Sequence, residues 1–278
     1  MVSPAHMTYT MVEEFDRDGY IVARQLFTPE EVKLIRDTFM EMGKSGPVEG
    51  LSEVQRGGAP QYGDDDPLKK YPRMMMPHNH RDKIVGPVAM KYMLDGRVRE
   101  ILSALMKEEP VAVQSMFYFK PPGARGQALH QDDFYLKTRP GHCIAAWTAI
   151  DDADQENGGM VAVPGSNRME IQCPQKADST KFFTTEHVPV PEGLKEVPVN
   201  MKAGDVMFFN GSVIHGSYPN TSTTRFRRAF ICHYVPEKTA ELSQWYRTPI
   251  RFDGTGRLIP PATGGGPCGT PQDTGRLH

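Results

Sequence analysis

Between Val111 and Val235 the chain breaks into short apolar or alternating runs, parted by clusters of Gly, Pro, Asn and Asp. The runs are VAVQSMFYFK (Val111 to Lys120), HCIAAWTAID (His142 to Asp151), GMVAVPGS (Gly159 to Ser166), GDVMFFN (Gly204 to Asn210) and RRAFICHYV (Arg227 to Val235). Length and β-branched or aromatic content make them strands. No helical pattern alternates with them, so a parallel sheet of βαβ units is disfavoured, and there is no P-loop. A run of strands without interleaved helices must bury its faces sheet on sheet, as a sandwich or barrel.

The first hundred residues have helical patterning instead. In FTPEEVKLIRDTFMEMGKSG, Thr28 is placed to cap, Pro29 to open the first turn and Glu31 to complete a capping box. Val32, Ile35, Phe39 and Met40 follow at helical spacing, which predicts a helix ending near Gly43. A shorter helix is expected over Met11 to Asp18, and another from Asp95 through Val98, Ile101, Leu102 and Leu105. The stretch Arg56 to His80 has too many Gly, Pro and charges for a packed element and reads as a loop, either a lid or disordered. Within it, Met74, Met75 and Met76 with Tyr71 could wall an apolar pocket or pack into a core. From about Thr248 the Gly- and Pro-rich tail should be irregular. The expectation is an α+β chain with a mainly β core forming one domain over 1–278. Its parts are a helical flank at 1–109, a core at 110–236 and a tail at 237–278.

Charge narrows the partners. With 32 basic and 34 acidic residues the net charge is -2, which provides no basic field for nucleic acid and no polybasic membrane anchor. A small molecule is the expected partner. Cys143, Cys173, Cys232 and Cys268 are scattered without CxxC spacing, which argues against a zinc knuckle or a disulfide framework. The first twenty residues show no leader pattern and no membrane-length apolar run. Together these features suggest a soluble protein of a reducing cytoplasm.

One segment carries chemistry. In ALHQDDFY, His130 and Asp132 are two residues apart, so on a strand both side chains would leave one face. A second imidazole, His215, stands in FFNGSVIHGSYPN, 85 residues downstream (215 minus 130). Two histidines and a carboxylate on one face of a metal form the triad of non-haem iron(II) oxygenases. A lone histidine near a strand end is more often a hydrogen-bonded structural residue, and HxD alone is a weak signal. The order HxD, then IHGS, then an Arg-rich strand is more specific.

The stretches LHQDDFYLKTRPG, AAWTAIDDADQENGGMVAVPGSNR, GDVMFFNGSVIHGSYPN and RFRRAFICHYVP closely resemble the phytanoyl-CoA dioxygenase family of Fe(II)- and 2-oxoglutarate-dependent oxygenases. The resemblance spans roughly Val111 to Pro236. It implies a double-stranded β-helix, a cupin-like jelly roll, flanked by N-terminal helices. By position it implies that His130, Asp132 and His215 are the catalytic metal ligands. Arg227 would grip the far carboxylate of 2-oxoglutarate, with Arg225 as the alternative and Ser217 assisting. Met116 and Trp147 would line the cosubstrate pocket, with ordinary core packing as the competing reading.

The implied reaction uses Fe(II), 2-oxoglutarate and O2 to hydroxylate an unactivated C–H bond, releasing succinate and CO2. A carboxylate at Asp132 implies a hydroxylase, since related halogenases carry Ala or Gly there. Gln114 resembles a substrate-contacting glutamine of ectoine hydroxylases, a branch of the same family, and Gln127 could also contact substrate. Tyr135 and Lys137 could bind an anionic substrate or belong to a solvated charged turn. Gln131 and Asp133 should point away from the metal, and His142 and His233 read as structural. A polar metabolite, phosphonate, amino-acid-like compound or natural product is favoured over an acyl-CoA. The alternative to an enzyme is a cupin-like module that binds a metal or ligand without turnover.

Overall fold

A computed structural model describes residues 9–53, 62–246, 248–263 and 267–269. Helix α1 (Tyr9–Asp18) runs through Gly19 directly into strand β1 (Tyr20–Ala23). Helix α2 (Pro29–Gly43) begins at the expected capping box: Glu31 N donates to Thr28 Oγ1 at 3.3 Å, and Thr28 N to Glu31 Oε2 at 2.9 Å. Its buried stripe is Val32, Ile35, Phe39 and Gly43.

The segment read as a loop is structured where it is described. Residues 56–61 lie outside the described residues, but 62–80 contain α3 (Pro67–Lys70), β2 (Met74–Met75) and a 3-10 turn at Pro77–Asn79. Met74 and Met75 are each 1% exposed and face two different cores, so this stretch is packed rather than an open lid. Helix α4 (Val85–Met93) occupies a stretch for which the sequence analysis assigns no element; Gly86 and Pro87 fall in its first turn, where Pro is tolerated. Helix α5 (Gly96–Met106) is capped by Asp95, whose side chain accepts from Arg97 N.

The strands are β3 (Pro110–Tyr118), β4 (Gln127–His130), β5 (Ile144–Ala149), β6 (Met160–Ala162), β7 (Gln175–Lys176), β8 (Glu186–His187), β9 (Val197–Val199), β10 (Val206–Asn210), β11 (His215–Ser217), β12 (Ala229–Pro236) and β13 (Ile250–Arg251). A short helix, α6 (Asp133–Leu136), follows β4. The large sheet runs β1-β10-β5-β12-β3-β13, with β2 also on β3, and faces a smaller sheet β4-β11-β6-β9. Pairing in both is antiparallel. This is the double-stranded β-helix architecture of cupin-like proteins.

Strand alternation sorts the two faces of the large sheet. Phe117, Ala146, Phe208, Phe230 and Tyr234 pack under the helices, where Phe39 stacks on Phe117 at 4.1 Å. Their neighbours Met116, Trp147, Met207, Phe209 and Ile231 point the other way, against Met160, Ala162 and Val199 of the smaller sheet. The tail is less irregular than expected: β13 pairs with β3, and Ile259 packs with Leu242 and Tyr246. Cys173 and Cys268 form a disulfide across 95 residues, contrary to the reading from their spacing. Among the described residues no helix is long and apolar enough to cross a membrane.

Candidate metal and cosubstrate site

His130 ends β4 and His215 opens β11, and the two are directly paired across the smaller sheet. That register sets their rings 4.2 Å apart between centroids. Asp132 is not on the strand, as had been expected. With φ −62° and ψ −35° it has left β4 and caps the short α6, which swings its carboxylate back over the imidazoles. Its Oδ1 lies 3.5 Å from His130 Nε2 and 3.6 Å from His215 Nε2, so three ligand atoms face one point.

The tautomers follow from the backbone. His130 Nδ1 is 2.8 Å from Ala128 O, and His215 Nδ1 is 2.9 Å from Val213 O. A carbonyl only accepts, so each Nδ1 carries the hydrogen and each Nε2 presents its lone pair. Two neutral imidazoles and one carboxylate make a donor set suited to iron(II). The other oxygen of Asp132 is also engaged, since Oδ2 accepts from His233 Nε2 at 3.0 Å. The sequence alone predicts a structural role for His233. The signal available was strand alternation, which puts it on the inner face with Ile231.

Gln131 and Asp133 point away from the ligands, as expected, yet both are buried and bonded. Gln131 Nε2 donates to Ser212 O at 2.7 Å, while Asp133 accepts from Cys143 N at 3.1 Å and sits 2.7 Å from His142 Nδ1. They tie α6 to the turn after β10 and to the chain entering β5. The Asp133 carboxylate in turn raises the pKa of His142.

Behind the ligands lies a narrow cavity, lined among others by Met116, Tyr118, Trp147, Ser217 and Arg227. Arg227 is 2% exposed, and its Nε donates to Gly158 O at 2.8 Å. Its Nη1 is buried with no hydrogen-bond partner among the described residues. Burial pushes its pKa down to about 10. An orphaned guanidinium N–H is costly unless an anion meets it, and a carboxylate is the matching shape. Arg225 does not enter the cavity; it pairs with Asp154 at 2.7 Å and Glu156 at 3.1 Å. Arg228 pairs with Asp151.

The residues expected at a substrate divide. Gln127 lines the cavity, with Nε2 3.2 Å from His130 Nε2. Tyr135 lines a smaller hollow on the other side of His130, where its hydroxyl donates to Glu186 Oε2 at 3.3 Å. Gln114 is fully buried opposite His233 in the β3–β12 register, and Lys137 is buried at the end of α6; neither lines either hollow. Lys120, which sequence reading passed over, reaches Ser217 from behind the cavity.

Fold and site together define a cupin-like protein with a two-histidine, one-carboxylate centre. The family model described as "Phytanoyl-CoA dioxygenase (PhyH)" matches residues 15–229, and the chain belongs to this family. Phytanoyl-CoA dioxygenase 1 of Oryza sativa subsp. japonica is 29% identical over 268 residues, covering 88% of this chain and 95% of the relative. Among solved structures, EvdO2 from Micromonospora carbonacea var. aurantiaca complexed with 2-oxoglutarate superposes with a TM-score of 0.63 at 19% identity, over 84% of this chain and 93% of that one. SnoK, a non-heme alpha ketoglutarate dependent carbocyclase from nogalamycin biosynthesis, gives 0.64 at 19% identity, over 93% and 94%. At such identities these two likenesses speak to the fold.

Proposed function

We propose that this chain is an Fe(II)- and 2-oxoglutarate-dependent dioxygenase that hydroxylates an unactivated C–H bond of a small molecule. The observation that carries the reading is the buried Arg227 guanidinium, with Nη1 unmatched, in the same cavity as His130, Asp132 and His215. When bound, iron(II) and 2-oxoglutarate supply the oxidising chemistry, with succinate and CO2 released. The chain's own part is to hold and exclude. The three ligands would fix the metal, while Arg227 and Ser217 would meet the far carboxylate of the cosubstrate. Met116 and Trp147 would wall it from water, with the indole also stacked against the guanidinium at 5.2 Å.

Gln127 and Tyr135, which flank His130, are the residues we assign to substrate contact. A compact polar or natural-product substrate is favoured, because the charge balance provides no field for a nucleotide-bearing ester. The carbocyclase activity named for SnoK makes product analysis part of the test. Under anaerobic conditions, iron(II) and 2-oxoglutarate should produce the weak visible charge-transfer band of their chelate. Arg227→Ala should lose that band at limiting 2-oxoglutarate, because a buried carboxylate without its bidentate partner costs about 2–5 kcal/mol. With air, succinate release over a substrate panel should accompany a product heavier by one oxygen. A well-folded protein that yields neither band nor succinate would instead be a binding module.

A further inference from the structure

A second buried cation stands behind the carboxylate end of the cavity. Lys120 follows β3 with a positive φ of 37° and is 2% exposed. Its Nζ donates to Ser217 Oγ at 2.7 Å and Tyr218 O at 2.5 Å, and reaches Gly158 O at 3.3 Å. Gly158 O also receives Arg227 Nε, so both cations converge on one carbonyl. Among the described residues no carboxylate pairs with either, since the acids of the adjacent turn are taken by Arg225 and Arg228. Two unneutralised cations in one buried corner repel each other, and burial together with Arg227 holds the Lys120 pKa well below the usual lysine range. An anion bound in this corner would offset that repulsion.

The hydroxyl of Ser217 shows how Lys120 takes part. An oxygen of this kind has two lone pairs and one hydrogen. Lys120 Nζ occupies one lone pair, and Gln127 N, at 3.3 Å, the other. The hydrogen is what remains, and Ser217 lines the cavity. We propose that Lys120 is a positioning residue for the dicarboxylate cosubstrate: by filling a lone pair of Ser217 it turns the hydroxyl into an obligate donor aimed at the carboxylate that Arg227 also meets. This rests on the function proposed above.

The test is a mutant cycle read by binding rather than turnover. The protein is loaded with Mn(II) without oxygen, and its 2-oxoglutarate dissociation constant is measured by calorimetry for wild type, Lys120→Met, Ser217→Ala and the double variant. Loss of a charge-assisted donor predicts about ten- to hundredfold weaker 2-oxoglutarate binding in Lys120→Met, with Mn(II) affinity unchanged. In the Ser217→Ala background the same change should cost less than about threefold, because Lys120 acts through that hydroxyl. Lys120→Arg, which keeps the cation, provides a second reading if the methionine variant does not fold; it should bind 2-oxoglutarate more tightly than Lys120→Gln. Wild-type affinity in Lys120→Met, equal affinity of the arginine and glutamine variants, or full multiplicative losses in the double variant would each overturn the assignment while leaving the function standing. Failure of the wild-type Mn(II) protein to bind 2-oxoglutarate would overturn both.

Discussion

Asp132 uses its two oxygens differently, and that division explains why a histidine outside the ligand set matters. Oδ1 faces both Nε2 atoms, while Oδ2 is held by His233. Replacing His233 with Leu leaves a buried carboxylate oxygen without that donor and free to rotate. Groups that orient metal ligands typically govern 10- to 100-fold in affinity, so cobalt(II) binding, followed by its visible absorption, should weaken by about that factor. His233→Gln, which keeps an N–H near the same place, should recover most of it; equal affinities in Leu and Gln variants would assign His233 to packing alone. A different histidine bears on acid stability. His78 is 2% exposed beside Ser115, and burial depresses its pKa from 6.5 to about 4. The unfolded chain therefore takes the proton first, so stability is full above pH 6.5 and declines as pH falls toward 4, by about 3 kcal/mol in total. Urea midpoints across this range should fall more steeply for wild type than for His78→Gln; parallel profiles would mean that His78 is not the titrating group.

At the scale of elements, the sequence disclosed the ligands more readily than the geometry that joins them. His130, Asp132 and His215 were readable from HxD and a distal IHGS, but the assumed strand carrying both HxD side chains ends at His130. The actual device is α6, and its anchor is a contact distant in sequence. Asp133 N donates to Gly211 O at 3.0 Å, and Gly211 leaves room for Asp133 only because it has no side chain. A Cβ there would stand 2.4 Å from Cys143 Sγ and 2.7 Å from Asp133 Cγ. Gly211→Ala should therefore displace α6 and with it Asp132. Metal affinity is expected to fall by about tenfold or more, since first-contact geometry tolerates little displacement, while far-ultraviolet circular dichroism stays unchanged. Unaltered metal binding would show that the turn yields without moving the helix. The same limit hid β1 and α4. Strand β1 is short and is held by β10, far along the chain, while α4 has Gly and Pro in its first turn and packs on α2 and on the turn at Pro77–Asn79. Capping and periodicity act locally, so they revealed α2 and α5; the large strands were visible because they are long and apolar.

The whole molecule is closed by a bond that local spacing could not reveal. Cysteine intervals diagnose metal knuckles and compact frameworks, but Cys173 stands in an irregular segment and Cys268 in a 3-10 turn at Pro267–Gly269, and the two meet after the tail has paired with β3. The approach is guided by contacts: Ala262 N donates to Leu242 O at 2.8 Å, and Ile259 is buried with Leu242, Tyr246 and Val111. Cys173 adjoins Pro174, which lines the hollow shared by His130 and Tyr135, so the bridge fastens the tail beside the hollow we assign to substrate. Both cysteines are exposed to solvent and so to reductant. Closing a loop of this length restricts the unfolded chain by an amount typically worth about 2–4 kcal/mol. Cys268→Ser should lower the urea midpoint accordingly, and dithiothreitol should bring wild type down to the variant without affecting the variant itself. The iron(II)–2-oxoglutarate band should survive in both, because the residues assigned to that chelate lie between Met116 and Arg227, whereas the tail strand β13 meets β3 at Val111 and Ala112. Loss of the band on reduction would instead make the tail part of the site's support, and an unchanged midpoint would mean that the packed tail holds without its bond.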